Sequence, residues 1–213
     1  MDILFQIRNI TQPHHRKTEN LLGFLLGSKV TTEDLAWLLK RLYTFYLPLE
    51  TSLHTTLVQC RDPWLEAISY EDRLHTLALQ SDLESLGVLP KDLELEAICT
   101  NLPNLNTPAE RKGYLYVIEG STLGGRIISA HLEKTLGAAI TQDLKFFSGY
   151  GTELGRRWNL FKDTLRCFCD VHPDEANAVF TSAKDTFEKL GAWLGGPKNS
   201  YSEPQITLNR AVQ

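Results

Sequence analysis

Apolar residues recur every three to four positions through most of the chain. No stretch alternates apolar and polar with the β-branched residues that a half-buried strand uses. The first helical run carries Ile7, Ile10, Leu21, Leu22 and Leu25 and stops at Gly27-Ser28. Pro13 either opens its main part or kinks it, because proline has no N–H for a helical bond. Thr31-Thr32-Glu33-Asp34 has the pattern of a capping box, opening a second helix with Leu35, Leu38, Leu39, Leu42, Phe45 and Tyr46 on it. Pro48 falls inside this helix and is expected to bend it. The pattern predicts a third helix over residues 70–86, ended by Gly87 and Pro90. A linker with Pro103 and Pro108 then leads into a long helix from about residue 107 to 136. Two more fit residues 155–171 and 174–193, the last opened by His172-Pro173-Asp174. After Leu194 the residues turn to glycine, proline and small polar types with little to bury, so 195–213 reads as a flexible tail. The expectation is an all-α, single-domain bundle of six to eight helices spanning residues 1–194.

Composition narrows the class without naming an activity. With 213 residues, 42 % apolar and 23 % charged, the chain suits one ordinary soluble domain. A chain of this length buries about 70 % of its extended surface, so neither a disulfide nor a metal staple is required. The 22 basic residues against 26 acidic ones leave a net charge of −4, which argues against a nucleic-acid partner. No window approaches the apolar run of a membrane span, and the start, MDILFQIRNI, lacks a secretory pattern. Cys60, Cys99, Cys167 and Cys169 match neither a zinc ribbon nor a redox C-x-x-C, so they read as reduced thiols of a cytoplasmic protein.

Two motifs stand above this background. His15 and Glu19 are four residues apart, on one helix face, where the carboxylate can orient the imidazole. Arg8, seven residues earlier, returns to nearly the same face about 10 Å away. A cation, an imidazole and a carboxylate on one stripe suit an anionic, metal-containing planar ligand; a solvated polar face would show the same pattern. His14 competes with His15, but its partner at position 18 is a threonine, a poorer orienter. The second motif is Tyr114 to Gly125, in which Gly120, Gly124 and Gly125 interrupt a helical pattern at about 1 kcal/mol each relative to alanine. The bare face that Gly120 and Gly124 share serves either a closely packed second helix or a flat ligand laid on the backbone. No Glu-x-x-His pair, nucleophile elbow or phosphate loop is present. His54, His75 and His172 read as surface or satisfied polar positions.

An early His-x-x-x-Glu followed by a glycine-kinked helix resembles the haem oxygenase family. The run Tyr116-Val117-Ile118-Glu119-Gly120-Ser121-Thr122-Leu123-Gly124-Gly125 is most similar to the bacterial, biliverdin-producing branch associated with bacteriophytochromes. Residues 73–83 with Leu86-Gly87 resemble the family's middle helix, residues 45–50 its second-helix turn and residues 183–187 its last core helix. The resemblance covers roughly residues 5–194.

The resemblance implies a division of roles. His15 would be the proximal ligand of haem iron and Glu19 its orienting neighbour. Gly120, Ser121, Gly124 and Gly125 would form the distal, catalytic face, leaving room for O2. Arg8 and Lys162 would meet the haem propionates and Phe187 the macrocycle edge. Tyr114, Arg157 and Trp158 would wall the pocket or contact propionates. Ser121 stands where the animal enzymes carry an aspartate, so hydroxyl and water must organise the distal side. Haem would be both substrate and cofactor, cleaved with O2 to biliverdin, CO and Fe2+. Electrons would come from a ferredoxin or flavoprotein reductase guided by Arg8, Arg16, Lys17, Arg156, Arg157 and Lys162, and a biliverdin-binding phytochrome is a further partner implied. The alternatives are a non-catalytic haem carrier or sensor on the same fold and a thiaminase-like or cofactor-free oxidase, which would need a catalytic cysteine or acid cluster in the bundle centre.

Overall fold

The computed structural model describes residues 2–60, 62–94 and 96–196. Within them nine α-helical segments follow in order: α1 (Ile3–Leu22), α2 (Thr32–Cys60), α3 (Pro63–Ala67), α4 (Thr76–Ser85), α5 (Pro90–Glu94), α6 (Pro108–Leu136), α7 (Ala138–Thr141), α8 (Leu154–Val171) and α9 (Ala176–Leu194). No strand occurs among the described residues, so the all-α reading holds. The long helices are the ones that the apolar spacing outlines. The extra elements, α3, α5 and α7, have four or five residues and cannot repeat a helical period. No helix of the described residues is long and apolar enough to cross a membrane.

The caps behave as local chemistry dictates. Thr31 Oγ1 accepts from the Asp34 N–H and the Asp34 carboxylate accepts from the Thr31 N–H, both at 3.1 Å. Thr107 and Glu110 do the same at the start of α6, at 3.2 and 2.8 Å. Helix α1 begins at Ile3 on an Asp2 cap, so Pro13 lies inside it rather than opening it. Helix α2 passes through Pro48 unbroken. The Thr44 carbonyl that Pro48 cannot serve is taken by the Cys99 N–H at 3.2 Å. Of the expected tail, Gly195 and Gly196 finish α9 through N–H bonds to the Gly191 and Trp193 carbonyls, and residues 197–213 lie outside the described residues.

The expected helix over 70–86 is corrected by the structure. Residues Tyr70–Arg73 form a 3-10 turn, Leu74 is extended, and α4 starts at Thr76. Long-range chemistry makes the break. The Glu50 carboxylate on α2 accepts from the His75 N–H at 2.7 Å, the Thr76 N–H at 3.1 Å and the Thr76 hydroxyl at 2.6 Å, capping α4 from another helix. That contact draws the chain inward at His75, which is 7 % exposed instead of lying at the surface.

Helix α9 is the post on which α1, α2 and α6 lean. Its closest approach is at Gly113 of α6, where a Cβ would lie 2.4 Å from the Val179 carbonyl and 2.6 Å from Ser182 Cβ. The Ser182 hydroxyl donates to the Glu110 carbonyl at 2.7 Å across the same contact. At its far end α9 is clamped to α2. The Arg41 guanidinium lies 3.6 Å over the Trp193 ring and donates to the Trp193 carbonyl, and Trp193 Nε1 donates to the Arg41 carbonyl at 2.8 Å. Two long helices are thereby held side by side on a third.

Candidate functional site

Helices α1 and α6 run alongside each other and are tied at two points. At one end Tyr116 of α6 lies beside Thr11 of α1, in the field of Arg8. At the other, His131 Nε2 meets the Gly27 carbonyl at 3.3 Å, where α6 packs on the turn that follows α1. Between these points both helices rest on α9. From Tyr116 to His131 is 15 residues, about 22 Å of helix. His15 stands four residues beyond Thr11 and Gly120 four beyond Tyr116, so equal helical rise sets them level, with Glu19 level with Gly124. The candidate slot is therefore the space between them, where the register sets an imidazole of α1 level with a glycine face of α6.

The α6 wall is bare for the reason the spacing suggests. Nothing lies within 4 Å of a Cβ built on Gly124, and at Gly120 only the rim of Trp158 is met, at 3.8 Å. Gly125 departs from the expectation that it leaves space for a ligand. Its Cβ direction points at the Phe147 carbonyl 2.5 Å away, because it sits on the opposite side of the helix, against the segment after α7. The glycines thus divide: Gly120 and Gly124 bare the slot, Gly125 and Gly113 admit protein backbone. Gly113 escaped the sequence reading. The small pair Ser182-Ala183 opposite it was the available signal, but only the fold shows which small residues meet.

On the α1 wall, His15 Nδ1 lies 3.1 Å from the Glu19 carboxylate. That bond assigns the proton to Nδ1 and leaves the Nε2 lone pair free for a metal. His15 is half exposed, and the edge of its ring meets Phe187 of α9 at 5.8 Å between centroids. His14 turns the other way, mostly buried, with Nδ1 at 3.5 Å from Glu188. Among the described residues no three His, Cys, Asp or Glu side chains group to hold a bare metal ion.

Two cations stand at the Thr11–Tyr116 end. Arg8 is exposed there, and Lys162 Nζ lies 5.9 Å from the Trp158 ring, which meets Tyr116 at 6.0 Å. Arg157 does not join them. Its guanidinium donates to the Asp72 carbonyl at 2.8 Å and lies 4.7 Å over the Tyr150 ring. Tyr114 is likewise no slot wall: it is 1 % exposed, in the interior, with its hydroxyl unpartnered. Burial in the core raises its ionisation well above the ordinary tyrosine range.

Behind the slot lies a buried polar cluster that sequence spacing could not disclose. Glu119 pairs with Arg73 and accepts from the Tyr150 hydroxyl at 2.9 Å, both residues of the ion pair being 1 % exposed in their side chains. Burial raises the Glu119 carboxyl, with Arg73 the main opposing influence. His75 sits between Tyr46 and Tyr150, with burial pushing its imidazole down to about 4 and Nε2 unpartnered. Ser121 is exposed and donates to the Ile118 carbonyl at 2.7 Å. The acids of this interior are already engaged by arginine, hydroxyls or backbone N–H groups. Cys99 is buried with its thiol pushed up, and Cys169 is pushed up to about 11 by burial, so neither presents a thiolate nucleophile.

The family model described as "Heme oxygenase" matches residues 1–195. The solved structure of the haem oxygenase from Leptospira interrogans superposes with a TM-score of 0.73 at 16 % identity, covering 91 % of this chain and 98 % of that one. No curated protein matches the chain in sequence. A slot with an orientable histidine opposite bare helix backbone, the shared fold and a family match over nearly the whole described chain lead to one conclusion: this chain belongs to the haem oxygenase family.

Proposed function

We propose that the chain binds haem as its substrate in the slot between α1 and α6 and cleaves it oxidatively to biliverdin, CO and Fe2+. The observation that carries this reading is the register of His15, free at Nε2, with the open face of Gly120 and Gly124. Haem supplies the iron that binds and activates O2, and the protein positions it. His15 holds the iron from one side, and Glu19 fixes the ring and its tautomer by accepting from Nδ1. Gly120 and Gly124 let the α6 backbone approach the other side, keeping the small space over the iron close to the ring edge that is attacked. Arg8 and Lys162 at one end of the slot hold the propionates and so fix how the macrocycle is turned. Phe187 braces the His15 ring and borders the macrocycle. Ser121 offers a hydroxyl where the animal enzymes place a carboxylate.

Electrons come from outside, from a ferredoxin or a flavoprotein reductase that meets the basic side chains around Arg8, Arg16 and Lys17. The glycine run is most similar to the branch that supplies biliverdin to bacterial phytochromes, which makes such a phytochrome the acceptor of the product. Haemin added to the apoprotein should give a Soret band. Reductant in air should then replace that band by a bile-pigment band toward the red. A stable Soret band under reductant and air would make the protein a haem carrier instead, and no Soret band would remove the reading altogether.

A further inference from the structure

Pro13 stands inside α1, two residues before His15, and haem binding as proposed gives it no role. A proline in a helix interior forfeits a hydrogen bond and presses its ring on the carbonyl four residues back. Here that carbonyl belongs to Asn9. The helix must open on the proline side and bend away from it. Pro13 is exposed, on the solvent side where a curved helix is convex. At 100° per residue, Thr11 and His15 each stand about 160° from it, astride the opposite, concave side. Thr11 adds to the distortion. It is 3 % exposed, and its hydroxyl donates to the Ile7 carbonyl at 2.7 Å, with the Arg8 carbonyl at 3.4 Å. Hydroxyl bonds of this kind to the carbonyl four residues back also bend helices. The turn that leads into His15 thus carries two helix-bending features.

The two halves of α1 are held by different neighbours. At the start, Arg166 of α8 donates to both oxygens of the Asp2 carboxylate, at 3.0 and 3.3 Å. Beyond Pro13 the helix lies on α9. His14 Nδ1 is 3.5 Å from Glu188, His15 meets Phe187, and Thr18 and Leu21 each lie 3.8 Å from where a Cβ on Gly191 would stand. Arg8 precedes the proline and His15 follows it, while Lys162 shares α8 with Arg166. We propose that Pro13 is a positioning residue for the haem site: the bend it places between Arg8 and His15 tips the His15 half of α1 inward and aims the imidazole at the slot. This rests on the haem oxygenase reading. The His15–Glu19 bond closes within one turn and survives in a straight helix, so the bend acts on where Nε2 points and not on which nitrogen holds the proton. It also fixes how the iron ligand stands relative to the propionate cations, which lie on the other side of the proline or on α8.

Residual dipolar couplings of the α1 amides in the wild-type apoprotein measure the bend without haem. Residues 3–12 and 14–22 should fit two axes, and Pro13→Ala should bring them toward one. A wild-type helix fitted by a single axis would overturn the inference. Alanine restores the missing N–H and removes the ring, so the apoprotein variant should melt no lower than wild type. Its haemin complex, once reduced, should nevertheless show a shifted iron–histidine stretching band by resonance Raman, and Soret titration should give several-fold weaker haemin binding. Wild-type band and affinity in the variant would overturn the positioning role. So would weaker binding that comes with a lower melting temperature, which would make the proline a folding element. Wild-type protein that binds no haemin would instead defeat the functional reading, while the couplings still decide whether Pro13 bends the helix.

Discussion

Alanine substitution along α6 should separate glycines that serve packing from those that serve the slot. At Gly113 the added methyl would stand 2.4 Å from Val179 O, 2.6 Å from Ser182 Cβ and 2.8 Å from Ala183 N. Two of these are backbone atoms of α9, which cannot rotate aside, so the helices must separate. Overpacking of this kind costs about 1–3 kcal/mol, and three simultaneous overlaps place it at the upper end. Alanine returns about 1 kcal/mol of helix propensity, leaving a net loss of about 2 kcal/mol. For a domain of this size each kcal/mol moves Tm by about 2–4 °C, so Gly113→Ala should melt about 4–8 °C below wild type. At Gly124 nothing lies within 4 Å, and the propensity gain stands alone. Gly124→Ala should therefore melt about 2–4 °C higher as apoprotein while binding haemin more weakly, because its methyl enters the slot. Gly125→Ala meets the Phe147 carbonyl alone and should lose stability, by less than Gly113→Ala. Thermal melts by circular dichroism and Soret titration of the same three variants suffice. A Gly124→Ala protein that melts below wild type, or that binds haemin unchanged, would refute the assignment of that face to a ligand.

His15→Ala should fold and lose histidine-ligated haem and nearly all turnover, whereas His14→Ala should keep both; optical spectra of the two haemin complexes rank them, and the reverse order would move the ligand to His14. Arg8→Ala and Lys162→Ala should mix biliverdin isomers on chromatography: a partly desolvated propionate contact approaches about 2 kcal/mol and about 1.4 kcal/mol is a tenfold preference. A single unchanged isomer with unchanged haem affinity would make both residues ordinary surface charges. His75, held down to about 4 by burial, binds no proton in the folded state where the unfolded chain does, between its ordinary value near 6.5 and that value. Its contribution is thus full above about pH 6.5 and is lost as pH falls toward 4, up to about 3 kcal/mol. Urea titrations of wild type and His75→Gln across that range should show a shallower acid slope in the variant, and parallel slopes would show that the imidazole titrates as freely as in the unfolded chain.

What the sequence discloses here is set by how local the responsible chemistry is. Helix starts at Thr31 and Thr107 close within three residues, and the His15–Glu19 pair closes within four, so spacing alone reaches them. The break at Leu74 was not legible, because it depends on Glu50, twenty-five residues before the N–H of His75 that it binds. The Arg73–Glu119 pair spans 46 residues and was missed for the same reason. Tyr114 and Arg157 carried plausible chemistry for a slot wall, but a helical period gives only the angle of a side chain. Which neighbour covers that angle is a property of the packed bundle.

The glycine-rich stretch of α6 shows how one local pattern can serve two incompatible purposes. A glycine costs a helix about 1 kcal/mol whichever side it faces, so the sequence records the cost and not its cause. Around the helix, Gly120 and Gly124 project within about 40° of each other, while Gly125 lies about 100° beyond Gly124 and 140° from Gly120. Phe147 fills the second direction, while the first meets only the rim of Trp158, at ordinary contact distance from Gly120. A helix gripped tightly on one side by backbone contacts is held rigidly while its opposite side stays bare. Gly113, within about 20° of the direction of Gly120 and Gly124 but two to three turns nearer the N-terminus, meets α9 there, so the same line of the helix is gripped at one end and bare further along. Close packing at Gly113 and Gly125 is thus what keeps the bare face of Gly120 and Gly124 at a fixed distance from His15. A slot for a rigid planar substrate needs that fixed spacing as much as it needs the histidine.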